Sequence, residues 1–158
     1  MLDSLASSQF SALIRTQLWG WPLALTLHAL GTALVVGFII IITLRLLGLF
    51  KLIPYRSLSR LFPIVWGALA LQVITGLVLW VAKPAQYVVD SAFLLKVLLI
   101  VVGAVLTANL SKMVAREAAS WDTNGGVPAR ELGFVATTLV VWCVVLVAGR
   151  LTGYLGSI

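Results

Sequence analysis

The chain has 158 residues, of which 61% are hydrophobic and 10% charged, with a mean hydropathy of +1.11. Ordinary globular domains carry about 25% charged and about 45–50% apolar residues, and a chain this short leaves much of its surface wet. A water-soluble domain is therefore excluded, and lipid is the solvent that suits the composition. The net charge of +6 and pI near 10.1 do not point to nucleic acid, because the basic residues fall between apolar segments rather than on one soluble face. They read as topology signals and as contacts for anionic lipid.

The N-terminal stretch lacks the positive start and dense apolar centre of a signal peptide, and Asp3 comes early. Phe10, Leu13, Ile14 and Leu18 recur at helical spacing, so a short interfacial helix is expected there. The first span is expected over residues 21–47, with Pro22 in the first turn, where its missing N–H costs nothing. A second span over 61–82 is closed by Lys83-Pro84. Asp90 or Ser91 is placed to cap a third over 92–113, which has room to continue along the polar stretch 114–120. Asp122-Thr-Asn-Gly-Gly126 is a turn signal, and Pro128 and Glu131 precede a fourth span over 132–154. The expected fold is an all-α integral membrane four-helix bundle, with residues 1–158 forming one transmembrane domain.

Orientation follows from the loop cations. Arg45, Lys51, Arg56, Arg60, Lys112, Arg116 and Arg130 lie toward one side, seven residues; Arg15, Lys83, Lys96 and Arg150 lie toward the other, four residues. Both termini are accordingly expected outside the cytoplasm, on the periplasmic side of a bacterial inner membrane. Trp19, Trp21, Trp80, Tyr87 and Tyr154 would mark the outer interface; Trp142, mid-span, does not suit either one.

Polar side chains inside spans are expensive and each asks for a reason. His28, the only histidine, lies about two turns into the first span, with Gly31 three residues on and therefore on its face. A small residue beside a histidine leaves room for a flat group, and imidazole is the usual ligand of haem iron. Lys96 and Arg150 each sit about one turn from an outer helix end, suited to haem propionates, to a lipid head group, or simply to snorkelling. His28 reads first as a structural residue hydrogen-bonded to a neighbouring helix, then as a haem or metal ligand, and last as a quinone or proton site. Gln72 and Thr75 share one face of the second span and read as interhelical glue, and Lys96, Gly103, Thr107 and Ser111 as a packing stripe on the third. Cys143 is a lone cysteine in an apolar run, so no disulfide, CxxC pair or CxxCH haem attachment exists; it reads as inert packing.

The first span, Trp21-Pro22-Leu-Ala-Leu-Thr-Leu-His28-Ala-Leu-Gly31, is followed by Leu44-Arg45-Leu46-Leu47-Gly48. This resembles a family of uncharacterised four-helix bacterial inner-membrane proteins with a W-P-x5-H-x2-G opening and an L-R-L-L-G end. More distantly it looks like the copper-resistance D-type and cytochrome b561-like membrane proteins, whose facing histidines hold b haem. The likeness covers about a fifth of the chain, and His28 alone carries over as a ligand. It implies electron transfer with b haem.

The resulting expectation is a small membrane protein associated with b haem or quinone. It would act in electron transfer as a homo-oligomer or as the anchor of a periplasmic redox partner, rather than as an enzyme by itself. His28 would ligate iron, Gly31 would give room, and Lys96 and Arg150 would face the propionates. No second strong ligand stands near His28, since Met113 lies at the far end of its span. The iron would be five-coordinate, be shared by two copies of His28, or take Lys96. The alternative is a cofactor-free structural subunit of a larger complex, consistent with the absence of any carboxylate within the spans.

Overall fold

The computed structural model describes residues 19–82 and 91–155, with the helical backbone alone at 82, 91–92 and 150–155. The expected interfacial helix around Phe10–Leu18, the Lys83-Pro84 stop, Tyr87, the Asp90 or Ser91 cap and the Tyr154 side chain lie outside the described residues. The rest is an all-α bundle of four helices long and apolar enough to cross a membrane, with no strand among the described residues.

Helix α1, Gly20–Leu46, begins with Pro22 in its first turn. It stops where Gly48 adopts φ +98°, a left-handed conformation that glycine takes without a Cβ penalty. The Gly48 N–H reaches Arg45 O at 3.1 Å and the Leu49 N–H reaches Leu44 O at 3.0 Å, the double closure that satisfies two of the helix's last carbonyls. A short helix α2, Tyr55–Leu58, runs through a 3-10 turn, Ser59–Leu61, into α3, Phe62–Ala82.

Helix α4, Ser91–Asn124, is 34 residues long, about 51 Å at 1.5 Å per residue, and so outruns the roughly 30 Å hydrocarbon layer. It continues well past Met113. Ala115, Arg116, Glu117, Ala118 and Ala119 are residues that favour helix, and Val114, Ala118 and Trp121 keep a buried stripe at helical spacing. Gly125 (φ +83°) and Gly126 (φ +144°) end it, and α5 runs Ala129–Leu155.

Helix α1 is central: it packs along α3 and against α5, while α4 packs along α5. Among the described residues α3 and α4 are not a closely packed pair, although they are consecutive in the chain. Among the described residues they are tied near one end, through α2. There Asp122, on the last turn of α4, accepts hydrogen bonds from the Tyr55 N–H at 2.8 Å (Oδ1) and the Arg56 N–H at 3.1 Å (Oδ2). Two orphan donors at a helix start are thereby satisfied by a carboxylate 66 and 67 residues away. The Tyr55 ring meets Trp121 edge-on with centroids 5.9 Å apart, and the buried Arg45 guanidinium lies 3.7 Å over the Tyr55 ring while its Nε donates to Ile53 O.

Between α4 and α5, Trp142 accounts for its mid-span place. Its indole N–H donates to Thr107 Oγ1 at 3.0 Å, and its ring lies over Gly103. Gly103 and Thr107 are buried in this contact, so the small-residue stripe of α4 packs against α5. Cys143 turns outward to the exposed surface rather than packing inside.

A Cβ added at Gly103 would sit 3.0 Å from Trp142 Cε2, whereas one at Gly37 would meet nothing within 4 Å. Gly103→Ala should therefore lower the melting temperature in detergent, with an overpacking cost of about 1–3 kcal/mol reduced by up to ~1 kcal/mol of helix preference. Gly37→Ala should leave it unchanged or raised; equal behaviour of the two variants would contradict the close α4–α5 contact.

Candidate binding groove

His28 lies on the α1 face that meets α3, opposite Gln72 and Thr75, which share a face because they are three residues apart. Its Nδ1 is 3.0 Å from Thr75 Oγ1 and its Nε2 is 3.1 Å from Gln72 Nε2. The Thr75 hydroxyl already donates to Leu71 O at 2.7 Å, which leaves its oxygen to accept from a protonated Nδ1. Nε2 then carries the lone pair and accepts from the Gln72 amide. Thr32, one turn beyond His28, donates to Gln72 Oε1 at 2.9 Å and closes the cluster. In lipid a polar group with no partner costs several kcal/mol, roughly, so four residues supplying one another's partners is the arrangement expected of a stable site.

The residues singled out in the sequence separate here. Gly31 is buried against α3: a Cβ on it would lie 3.1 Å from Gln72 Oε1 and 3.4 Å from Ala68 O. The room it makes is taken by α3. The glycine that makes space beside the imidazole is Gly76 on α3, where an added Cβ would meet His28 Cε1 at 3.3 Å. Nothing in the sequence ties Gly76 to His28, because the two stand on different helices 48 residues apart.

Where α3 and α4 diverge, a groove of about 580 Å³ opens between them. His28, Gln72 and Gly76 lie at its base, Leu77 and Trp80 on the α3 wall, and Val97 and Val101 on the α4 wall. Lys96 also lines it, with its stem against α5: a Cβ on Gly149 would be 3.4 Å from Lys96 Cε and 3.5 Å from Nζ. Lys96 and His28 thus share one groove, as their similar depth suggested. The Arg150 side chain lies outside the described residues, although its backbone follows Gly149 on α5. The groove is mainly hydrocarbon, with three polar residues in an otherwise apolar and aromatic lining, and its size suits a small amphiphile.

A metal centre has little to draw on. Among the described residues no group of three His, Cys, Asp or Glu side chains converges. The groove lining holds one histidine and no methionine. No family model matches the chain, nor does any curated protein or solved structure.

The His28–Gln72 contact should appear as a coupling energy. In a double-mutant cycle of His28→Ala and Gln72→Ala, measured by unfolding in mixed micelles, the pair should couple by about 0.6 kcal/mol and at most about 1.7 kcal/mol, the range for polar pairs between membrane helices. Strictly additive losses would mean that the two side chains do not meet.

Proposed function

We propose that the protein binds a membrane quinone in the groove between α3 and α4, in the bacterial inner membrane, and serves electron transfer by presenting that quinone to a redox partner. The observation that carries the proposal is the polar base of an otherwise apolar groove: His28 and Gln72 beneath, with Lys96 and Trp80 also lining it. A quinone needs hydrogen-bond donors at its carbonyl oxygens and hydrocarbon along its ring and tail. The Gln72 amide has a second N–H besides the one engaged by His28, and Lys96 carries an ammonium. Gln72 is itself aimed by Thr32, so its donor would be set before the ligand arrives. The excess of loop cations at the 47–61 end supports an orientation with this groove in the periplasmic half of the bilayer.

The b-haem form of the reading asks more of the same residues. Iron would need the Nε2 lone pair that Gln72 occupies, and the face of Gly31 is filled by α3. Lys96 is the one further side chain of the lining that would offer such a group a nitrogen ligand. The residues therefore suit haem less well than quinone. One observation favours the other reading, a cofactor-free structural subunit: both ring nitrogens of His28 already have partners within the protein.

Extraction of the detergent-purified protein into organic solvent, followed by chromatography with ultraviolet detection and an optical spectrum of the intact sample, separates the three. A quinone near one equivalent, absent from Gly76→Leu and reduced at least about tenfold in Gln72→Leu, is the expected result; a lost donor hydrogen bond to a ligand is worth roughly that factor. A Soret band would establish haem instead, and neither species in protein from quinone-replete membranes would leave the structural subunit.

A further inference from the structure

The other end of the bundle holds a second cavity, of about 750 Å³, between the end of α1, the 48–54 loop, α2 and the last turns of α4. Arg45, Lys51 and Arg56 line it together with one carboxylate, Asp122. Both oxygens of that carboxylate accept from the Tyr55 and Arg56 amides. Among the described residues the sole ion pair is Arg130–Glu131, so Arg45 stands 6% exposed with no carboxylate within 4 Å. Its Nε goes to the Ile53 carbonyl and its plane to the Tyr55 ring, which fixes the guanidinium in place while its terminal N–H groups remain to donate. A fixed, nearly buried cation beside two more calls for an anion.

We propose that this cavity binds the phosphodiester of an anionic phospholipid, with Arg45 as the fixed anchor and Lys51 and Arg56 closing on the phosphate. The depth is right. Trp121 and Asp122 lie eight and nine residues beyond Met113, about 12–14 Å past the apolar part of α4 and so at the level of head groups. The rim chooses lipid over a dissolved phosphate: Leu52, which lines the cavity, is 99% exposed, and Leu49 and Phe50 beside it are exposed as well. Three exposed apolar side chains next to Lys51 are the pattern of a loop resting on the membrane, hydrocarbon down and cation at the head groups. Basic pockets between transmembrane helices at this level are a recurrent way of holding anionic head groups. The site is independent of the quinone groove, which lies toward the opposite end of the bundle.

Native mass spectrometry of the full chain in detergent, titrated with phosphatidylglycerol, tests the proposal. Lys51→Gln/Arg56→Gln removes two exposed cations from the cavity without touching the buried Arg45 and should weaken binding about 10- to 30-fold. Lys112→Gln/Arg116→Gln removes two exposed cations of α4 that do not line the cavity and should change it less than about twofold. Phosphatidylcholine should bind at least about tenfold more weakly, and millimolar inorganic phosphate should not displace the lipid. Equal loss in both double variants would overturn the site in favour of diffuse surface charge. Displacement by inorganic phosphate would overturn the lipid as its occupant, and equal binding of phosphatidylcholine, or none of phosphatidylglycerol, would overturn the anionic head group.

Discussion

The carboxylate of Asp122 holds two amides of α2, and much of the architecture follows from that contact. Through it the last turn of α4 grips the segment leading into α3, and Tyr55, Trp121 and Arg45 pack around the junction. The buried apolar residues agree: on α4 they begin at Leu110, and on α3 they end at Leu69. One end is therefore a tied core. At the other end α3 stays on α1 and α4 stays on α5, and among the described residues the two part.

What holds α3 on α1 in the parted half is polar rather than apolar. His28, Gln72, Thr75 and Thr32 continue the α1–α3 seam past Leu69, the last buried hydrophobic of α3. In water such a cluster would gain little, because each group has a solvent alternative. In a bilayer the alternative is hydrocarbon, and the cluster becomes both a fastener and the wall of a groove. The same geometry that satisfies His28 presents Gln72 to the space beside it.

The four helices and the all-α class were legible because hydrophobicity over about 20 residues is a signal that a bilayer imposes directly. The pairing of the helices was not. Apolar stripes on α3 and α4 look alike whether they face lipid, a neighbour or a groove, since hydrocarbon touches all three. Gln72 and Thr75 were readable as interhelical contacts by their shared face, but nothing in their spacing named His28 as the partner. Gly31 was visible as His28's neighbour, whereas the close approach of Gln72 that fills its face depends on how α3 sits. Arg45 and Asp122 read as a loop charge and a turn residue; the junction they build depends on α4 running to Asn124, eleven residues beyond the span expected from hydropathy.

Beside His28, α3 and α4 stand apart while α1 and α3 touch. Disulfide trapping in native membranes, on a Cys143→Ser background, measures this directly. Gly31→Cys with Ala68→Cys should cross-link readily on mild oxidation, since a Cβ at Gly31 would lie 3.4 Å from Ala68 O. Leu77→Cys with Val97→Cys, on the two walls of the groove, should resist direct oxidation and yield only to a long bifunctional thiol reagent. Rapid disulfide formation by the Leu77–Val97 pair would show the groove to be closed and would contradict the account.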